Sequence, residues 1–269
     1  MARLDKLYIG TNTKMYKTIA QTADFLSRLG ELTRSIPRER MELFVIPSFT
    51  TLETASKHAI QAAISLGAQN MGWEDEGQFT GEISPLMLKE VGVKVVEIGH
   101  SERRHVLGET DEMENRKVLC ALRHGFTALL CVGETGAQKD AGLSDEVLRT
   151  QLKVGLRGVA PDQMRNVWIA YEPVWAIGVS GVPASKEYAE EKHQTIRRTL
   201  VELFGPETGD DVPLLYGGSV NNENAPELIQ MPAIDGLFIG RSAWVADNFI
   251  KIINDVLPLF ESKKAAMHS

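Results

Sequence analysis

Glu172 lies in the stretch Ile169 to Gly178, which reads Ile-Ala-Tyr-Glu-Pro-Val-Trp-Ala-Ile-Gly. The apolar run before it, Val167 to Ala170, has the character of a buried strand. Pro173 follows the acid directly and cannot donate a ladder hydrogen bond, so the strand stops at a carboxylate. The apolar neighbours Val174, Trp175 and Ile177 are expected to desolvate that carboxylate and raise it toward a useful general base. Beyond it, Gly178-Val179-Ser180-Gly181-Val182-Pro183 reads as a loop hinged at each end, a lid following a base.

Other residue types fit the same chemistry. His100, placed after Gly99 at the end of another apolar run, could be an electrophile or a proton shuttle. Lys14 could supply a fixed positive charge or a Schiff-base nucleophile. Asn12, two residues earlier, points to the same side of an extended segment and offers a neutral donor. Gly217-Gly218-Ser219, followed by Asn221-Asn222-Glu223, exposes backbone N–H groups that can hold a phosphate. Gly178, Ser219, Gly240 and the backbone of Arg241 would together suffice for a dianion. The set suits proton transfer beside a carbonyl on a phosphorylated substrate. Each residue also has a plainer reading: a surface carboxylate, a structural histidine, a solvated lysine. The constrained Pro173 segment and the strand-end position of His100 weigh against these.

Supporting positions are Ser101, Glu102, Cys131 and Tyr216. Cys131, with Glu134 three residues on, could be a thiol nucleophile, but no matched base lies in sequence and packing is the favoured reading. Glu102, Arg103, Arg104 and Glu109 are expected to form an ion network holding the His100 loop. His100 and His105 lack the i, i+4 spacing of a helical metal site and no cysteine cluster is present, so neither a metal nor another cofactor is expected.

Something must bring residues from across the chain to one place. Eight short apolar runs recur: Leu7-Tyr8-Ile9, Leu43 to Ile46, Ser65 to Ala68, Val93 to Ile98, Ala128 to Val132, Val167 to Ala170, Leu214 to Tyr216 and Leu237 to Ile239. Most segments between them repeat apolar residues at helical spacing, as at Phe25, Leu29 and Leu32 or at Ile196, Leu200 and Leu203. Strands apolar on both faces that alternate with helices imply parallel pairing, each helix serving as the crossover. Eight such units predict a closed (β/α)8 barrel with its active site where the strands end. An open doubly wound sheet would normally carry a G-x-G-x-x-G turn after its first strand, and Gly10-Thr11-Asn12-Thr13-Lys14 lacks that spacing.

The 269 residues carry a formal net charge of −7 and are 43% hydrophobic. That balance supplies a large core and argues against non-specific attraction to nucleic acid or an anionic membrane. No apolar stretch approaches the roughly 20 residues that span a bilayer. Two cysteines make no disulfide framework, and the first residues do not open a signal peptide, so a cytoplasmic location is expected. One domain over 1–262 is expected, with 263–269 a frayed flexible tail.

Five stretches together are very specific: Asn12-x-Lys14-Met15, Gly77 to Ser84, Gly99 to Arg104, Tyr171 to Gly178, and Tyr216 to Val220. Along nearly its whole length the chain resembles the triosephosphate isomerase family. That resemblance implies a single TIM barrel in which Glu172 is the base, His100 the neutral electrophile, Lys14 the fixed cation and Asn12 its helper. It also implies a homodimer whose loop Gln78 to Glu82 reaches the partner beside Lys14. Three departures stand out: Thr13 where the family usually has Trp, a lid without Lys that appears one residue longer, and Arg241 where a second glycine is usual. The lid and Gly240-Arg241-Ser242-Ala243-Trp244, with Asn70-Met71-x-Trp73 and Glu82 to Lys89, are closest to the branch that isomerises erythrulose phosphates. The expected activity is therefore conversion of L-erythrulose 1-phosphate to D-erythrulose 4-phosphate, with triose phosphate isomerisation as the alternative. An aldolase-like Schiff-base barrel and a non-catalytic phosphate-binding protein are the more remote readings.

Overall fold

Eight strands follow the eight apolar runs: β1 (Leu7–Asn12), β2 (Met41–Ile46), β3 (Ser65–Ala68), β4 (Val95–Ile98), β5 (Thr127–Val132), β6 (Val167–Tyr171), β7 (Leu214–Tyr216) and β8 (Gly236–Ile239). The structure, a computed structural model, describes residues 3–177 and 181–267. Each strand pairs in parallel with the next, and β1 pairs with β8 as well as with β2. The barrel is closed, so no strand edge is left for another chain to pair with.

Side chains alternate along each strand, and one set lines the interior. Tyr8, Phe44, Ile46, Val95, Leu129, Cys131, Trp168, Ala170, Leu215 and Phe238 form this inner cluster, distinct from the larger core between strands and helices. Four aromatics plug its middle, with Trp168 meeting Tyr8 edge-on at 5.1 Å and Phe44 lying 5.5 Å from Trp168 and 5.6 Å from Phe238. Stepping two residues from the plug toward the C-terminal ends leads from Val95 to Glu97 on β4, from Leu129 to Cys131 on β5, and from Ala170 to Glu172 beyond β6. Period two thus stacks a polar layer on an apolar floor.

The opposite face is sealed by ions. Asp235, buried just before β8, accepts from Arg197 at 2.8 Å, Lys264 at 3.0 Å and the backbone N–H of Leu214 at 3.2 Å. Arg3 donates to the carbonyls of Met164, Asp211 and Val167, and Lys6 pairs with Glu42 at 2.7 Å.

Helices begin where the sequence supplies caps. Thr18 and Gln21 make a reciprocal capping box ahead of the helix Ile19–Leu32, which buries Phe25, Leu26 and Leu29. The expected tail is corrected by the last helix, which runs unbroken over Ala246–Met267. Lys263 Nζ donates to the carbonyls of Met231 and Ile234, and Lys264 joins Asp235. A boundary at 262 therefore cuts a continuous helix whose end is tied to the barrel base. Among the described residues no helix is long and apolar enough to cross a membrane.

Candidate active site

A cleft of about 340 Å³ opens at the C-terminal ends of the strands, lined by Asn12, Lys14, His100, Glu102, Glu172, Ser219, Gly240 and Arg241 among others. Phe238 forms part of its floor, and Tyr16 and Trp244 part of its wall. The structure thus gathers the sequence candidates from five strand ends. Gly178, with Val179 and Ser180, lies outside the described residues.

Glu172 is 3% exposed. Its Oε2 accepts from the backbone N–H of Ser101 at 3.2 Å, and its Oε1 lies 3.5 Å from His100 Nε2. The backbone of Glu172 reaches this position only because Gly133 has no side chain: a Cβ there would sit 1.9 Å from the Glu172 carbonyl oxygen. The wall expected from Trp175 is different in kind. Its indole N–H donates to Glu134 Oε1 at 2.8 Å, and the hydroxyls of Tyr171 and Tyr188 bond the same buried carboxylate. Trp175 therefore braces the start of the lid segment, and the burial of Glu172 comes from the strand-end layer itself.

His100 caps the short helix Ser101–His105, its Nδ1 accepting from the Glu102 N–H at 3.1 Å. A ring whose Nδ1 accepts carries its proton on Nε2, the nitrogen that faces Glu172. Gly99 makes the sharp entry to this helix at φ +74°. Lys14 also adopts a left-handed backbone, φ 52°, which is costly for a side chain of its kind. Asn12 Oδ1 holds it there through the Lys14 N–H at 2.6 Å, and also accepts from Gln69 Nε2. The Lys14 ammonium reaches Glu102 Oε1 at 2.7 Å. Partial burial pushes the Glu102 carboxyl up, but the hydrogen bond and the charge of Lys14 outweigh it and hold the group below the ordinary range.

The expected ion network divides in three. Arg103 goes to Glu109 and Arg104 to Asp111, while Glu102 crosses the barrel mouth to Lys14. Cys131 is fully buried, and burial followed by the neighbouring carboxylates keeps its thiol protonated. Tyr216 is buried beneath the Gly217–Ser219 turn, with Gly218 stacked on its hydroxyl. The Ser219 N–H, an expected phosphate donor, here donates to the Ala176 carbonyl at 3.1 Å.

The family model for triosephosphate isomerase matches residues 7–256. The chain belongs to the triosephosphate isomerase family. An L-erythrulose-1-phosphate isomerase of Rhizobium etli is 47% identical over 249 residues, covering 92% of this chain and 91% of that protein. A second protein of that name, from Mesorhizobium japonicum, is 45% identical over 247 residues, covering 91% and 95%. A triosephosphate isomerase of a Thermoanaerobacter species is 47% identical over 246 residues, covering 91% of this chain and 98% of that protein. Membership in the triosephosphate isomerase family makes the chain an isomerase.

One buried acid beneath the cleft was not singled out from the sequence. Glu97 is fully buried within β4, and Asn12 Nδ2 donates to its Oε2 at 2.6 Å. The signal was available as a lone acid in the apolar run Val93 to Ile98, two residues from the inward-facing Val95. Ligand atoms of Glu97, Cys131 and Glu172 lie within 4.8 Å of one another, as do those of Asp75, Cys120 and His124 nearer the surface. Burial pushes both the Cys131 thiol and the Glu97 carboxyl upward, which works against a cation at the first group, since metal ligands must be deprotonated. At the second group, Arg123 directs its guanidinium to both Cys120 and Asp75.

Proposed function

We propose that the chain isomerises a short phosphorylated ketose by moving the carbonyl to the adjacent carbon, without a cofactor. The carrying observation is the buried Glu172 carboxylate, 3.5 Å from the Nε2 face of His100 and in one cleft with Lys14. Glu172 takes a proton from the carbon next to the carbonyl. The Nε2–H of His100 and the Lys14 ammonium stabilise the oxygens of the enediolate, and Glu172 returns the proton to the neighbouring carbon. For Lys14 to face substrate it must exchange some of its contact with Glu102 for the substrate's own negative charge. The phosphate is held at Gly178, Ser219, Gly240 and Arg241, with the Ser219 N–H exchanging the Ala176 carbonyl for a phosphate oxygen.

The substrate we assign is L-erythrulose 1-phosphate, which becomes D-erythrulose 4-phosphate when the carbonyl moves from C2 to C3. Support comes from the Rhizobium and Mesorhizobium relatives of that name and from the Arg241-bearing turn. Trp244 of that turn donates from its indole to the Asn12 carbonyl at 2.9 Å and packs 4.7 Å from Tyr16, so the turn forms one wall with the β1 loop. A cleft of about 340 Å³ admits a tetrulose as well as a triose. The second reading, triose phosphate isomerisation, is favoured by the equally similar Thermoanaerobacter relative. Measuring kcat/KM for L-erythrulose 1-phosphate beside D-glyceraldehyde 3-phosphate decides it: a clear tetrulose preference is expected, and a clear triose preference would reverse the assignment.

We further propose a homodimer through the loop Gln78 to Glu82. The loop bears Phe79 at 46% exposure, near the exposed Met87, and Met15 beside Lys14 is 94% exposed. Light scattering should report twice the chain mass, falling to one chain in Phe79→Glu. A wild-type monomer at micromolar concentration would remove this contact.

A further inference from the structure

The i, i+4 spacing that His100 and His105 lack is present at Cys120 and His124, at the last turn of the helix Asp111–Arg123. The His124 N–H donates to the Cys120 carbonyl at 3.1 Å, so the two side chains leave the same helical face. Asp75 meets them from the loop that follows β3, its Oδ1 2.7 Å from His124 Nε2. One ligand atom from each of the three lies within 4.8 Å of the others. A cation already sits among them. The Arg123 guanidinium reaches Cys120 Sγ at 3.3 Å and Asp75 Oδ1 at 3.5 Å, on a side chain that is 57% exposed and free to swing out to solvent. The negative end of the helix dipole adds to the attraction for positive charge here. None of the three residues lines the cleft.

We propose that Asp75, Cys120 and His124 form a binding site for one zinc ion, which enters as Arg123 swings away. A thiolate, an imidazole and a carboxylate are ligand types that zinc takes, and a water completes the tetrahedron. Bonds of about 2.0–2.3 Å set such ligand atoms roughly 3.3–3.7 Å apart, so Asp75 has to retreat slightly from His124. Half of the Asp75 side chain is exposed, which leaves it room. Binding breaks the Cys120 S–H bond, forms a zinc–sulfur bond and releases one proton to solvent. Burial pushes that thiol up, with the Arg123 charge acting the other way, while the His124 hydrogen bond first of all holds Asp75 below the ordinary carboxylate range. Unlike the buried group of Glu97, Cys131 and Glu172, this one has an exposed side by which an ion can enter. Its effect is mechanical. Ser84 Oγ donates to the Asp75 carbonyl at 2.6 Å, so an ion here ties both ends of the segment carrying Gln78 to Glu82 to the helix Asp111–Arg123.

The test needs no substrate and stands apart from the isomerase reading. Cobalt(II), a coloured substitute for zinc, should be titrated into the untagged, reduced full chain. Saturation is expected at one equivalent, with the thiolate-to-metal charge-transfer band and strong visible bands of a tetrahedral site, all lost when zinc is added. The charge-transfer band should vanish in Cys120→Ala, and His124→Gln should weaken binding by about tenfold or more. Arg123→Ala removes the competing cation and should bind cobalt about fivefold more tightly. Zinc should raise the melting temperature of the parent by about 2 °C or more and leave that of Cys120→Ala where it was. Absence of the charge-transfer band overturns the proposal, and so does a band that persists in Cys120→Ala, which would place the ion at Cys131. An affinity unchanged in both His124→Gln and Arg123→Ala also overturns it, reducing the site to a thiol that captures metal unaided.

Discussion

The two ends of the barrel bury charge by opposite rules. At the N-terminal face Asp235 is surrounded by donors, the Arg197 guanidinium, the Lys264 ammonium and the Leu214 N–H. At the C-terminal face Glu172 shares its interior with a second acid and a thiol, and has one backbone donor from Ser101. Both acids are buried, and only Asp235 is ringed by cations. The same architecture therefore separates a face where an acid is neutralised by cations from a face where two acids and a thiol share one interior.

That contrast predicts opposite responses to removing a carboxylate. Glu172→Gln is expected to lower kcat by roughly 10²- to 10⁴-fold, the usual contribution of a general base. Its melting temperature should stay level or rise, because a buried charge beside another acid has been neutralised. Activity within tenfold of the parent would break the assignment of the base. Asp235→Ala should do the reverse, destabilising the fold by about 3–5 kcal/mol by stranding Arg197 and Lys264, while kcat/KM of the folded fraction changes little. Denaturant titration and turnover on the same samples would show whether the two faces are separable.

His193 extends the comparison to pH. It is fully buried between Tyr171 and Tyr216, its Nδ1 at 2.8 Å from the Ala189 carbonyl, and burial lowers its pKa to about 4. The unfolded chain thus binds a proton that the native one refuses between the ordinary value of 6.5 and about 4. Stability is expected to fall as pH drops through that window, by up to about 3 kcal/mol. Carboxylates titrate there too, so the readout is the difference between wild type and His193→Gln; parallel stability curves would contradict it. The smallest effect is expected at the rim, where Lys6 and Glu42 remain 28% and 21% exposed. Lys6→Met should cost no more than about 1 kcal/mol. A loss as large as that at Asp235 would mean the whole N-terminal face acts as one network.

Much of this was legible before the structure. The eight apolar runs became the eight strands, and Glu172, His100, Lys14 and Asn12 converge on one cleft because each lies at or just beyond a strand end marked by a glycine, a proline or a polar residue. What escaped the sequence was partnership across the barrel. Glu102 stands beside two arginines in sequence, yet its cation is Lys14, 88 positions away. Lys263 and Lys264 read as a solvated tail because their acceptors, Met231, Ile234 and Asp235, belong to another segment. Glu97 was hidden for a subtler reason. Alternation says that its side chain opposes those of Val96 and Ile98, but which set faces inward depends on how the barrel closes.

The left-handed backbone of Lys14 has a consequence for selection. Held at φ 52°, this position would be more comfortable with Gly or Asn, by an amount on the order of 1 kcal/mol. A library sorted only for heat resistance should therefore drift away from lysine at 14, whereas one sorted for turnover should keep it. The divergence of the two populations at a single codon would record what the loop's conformation is for.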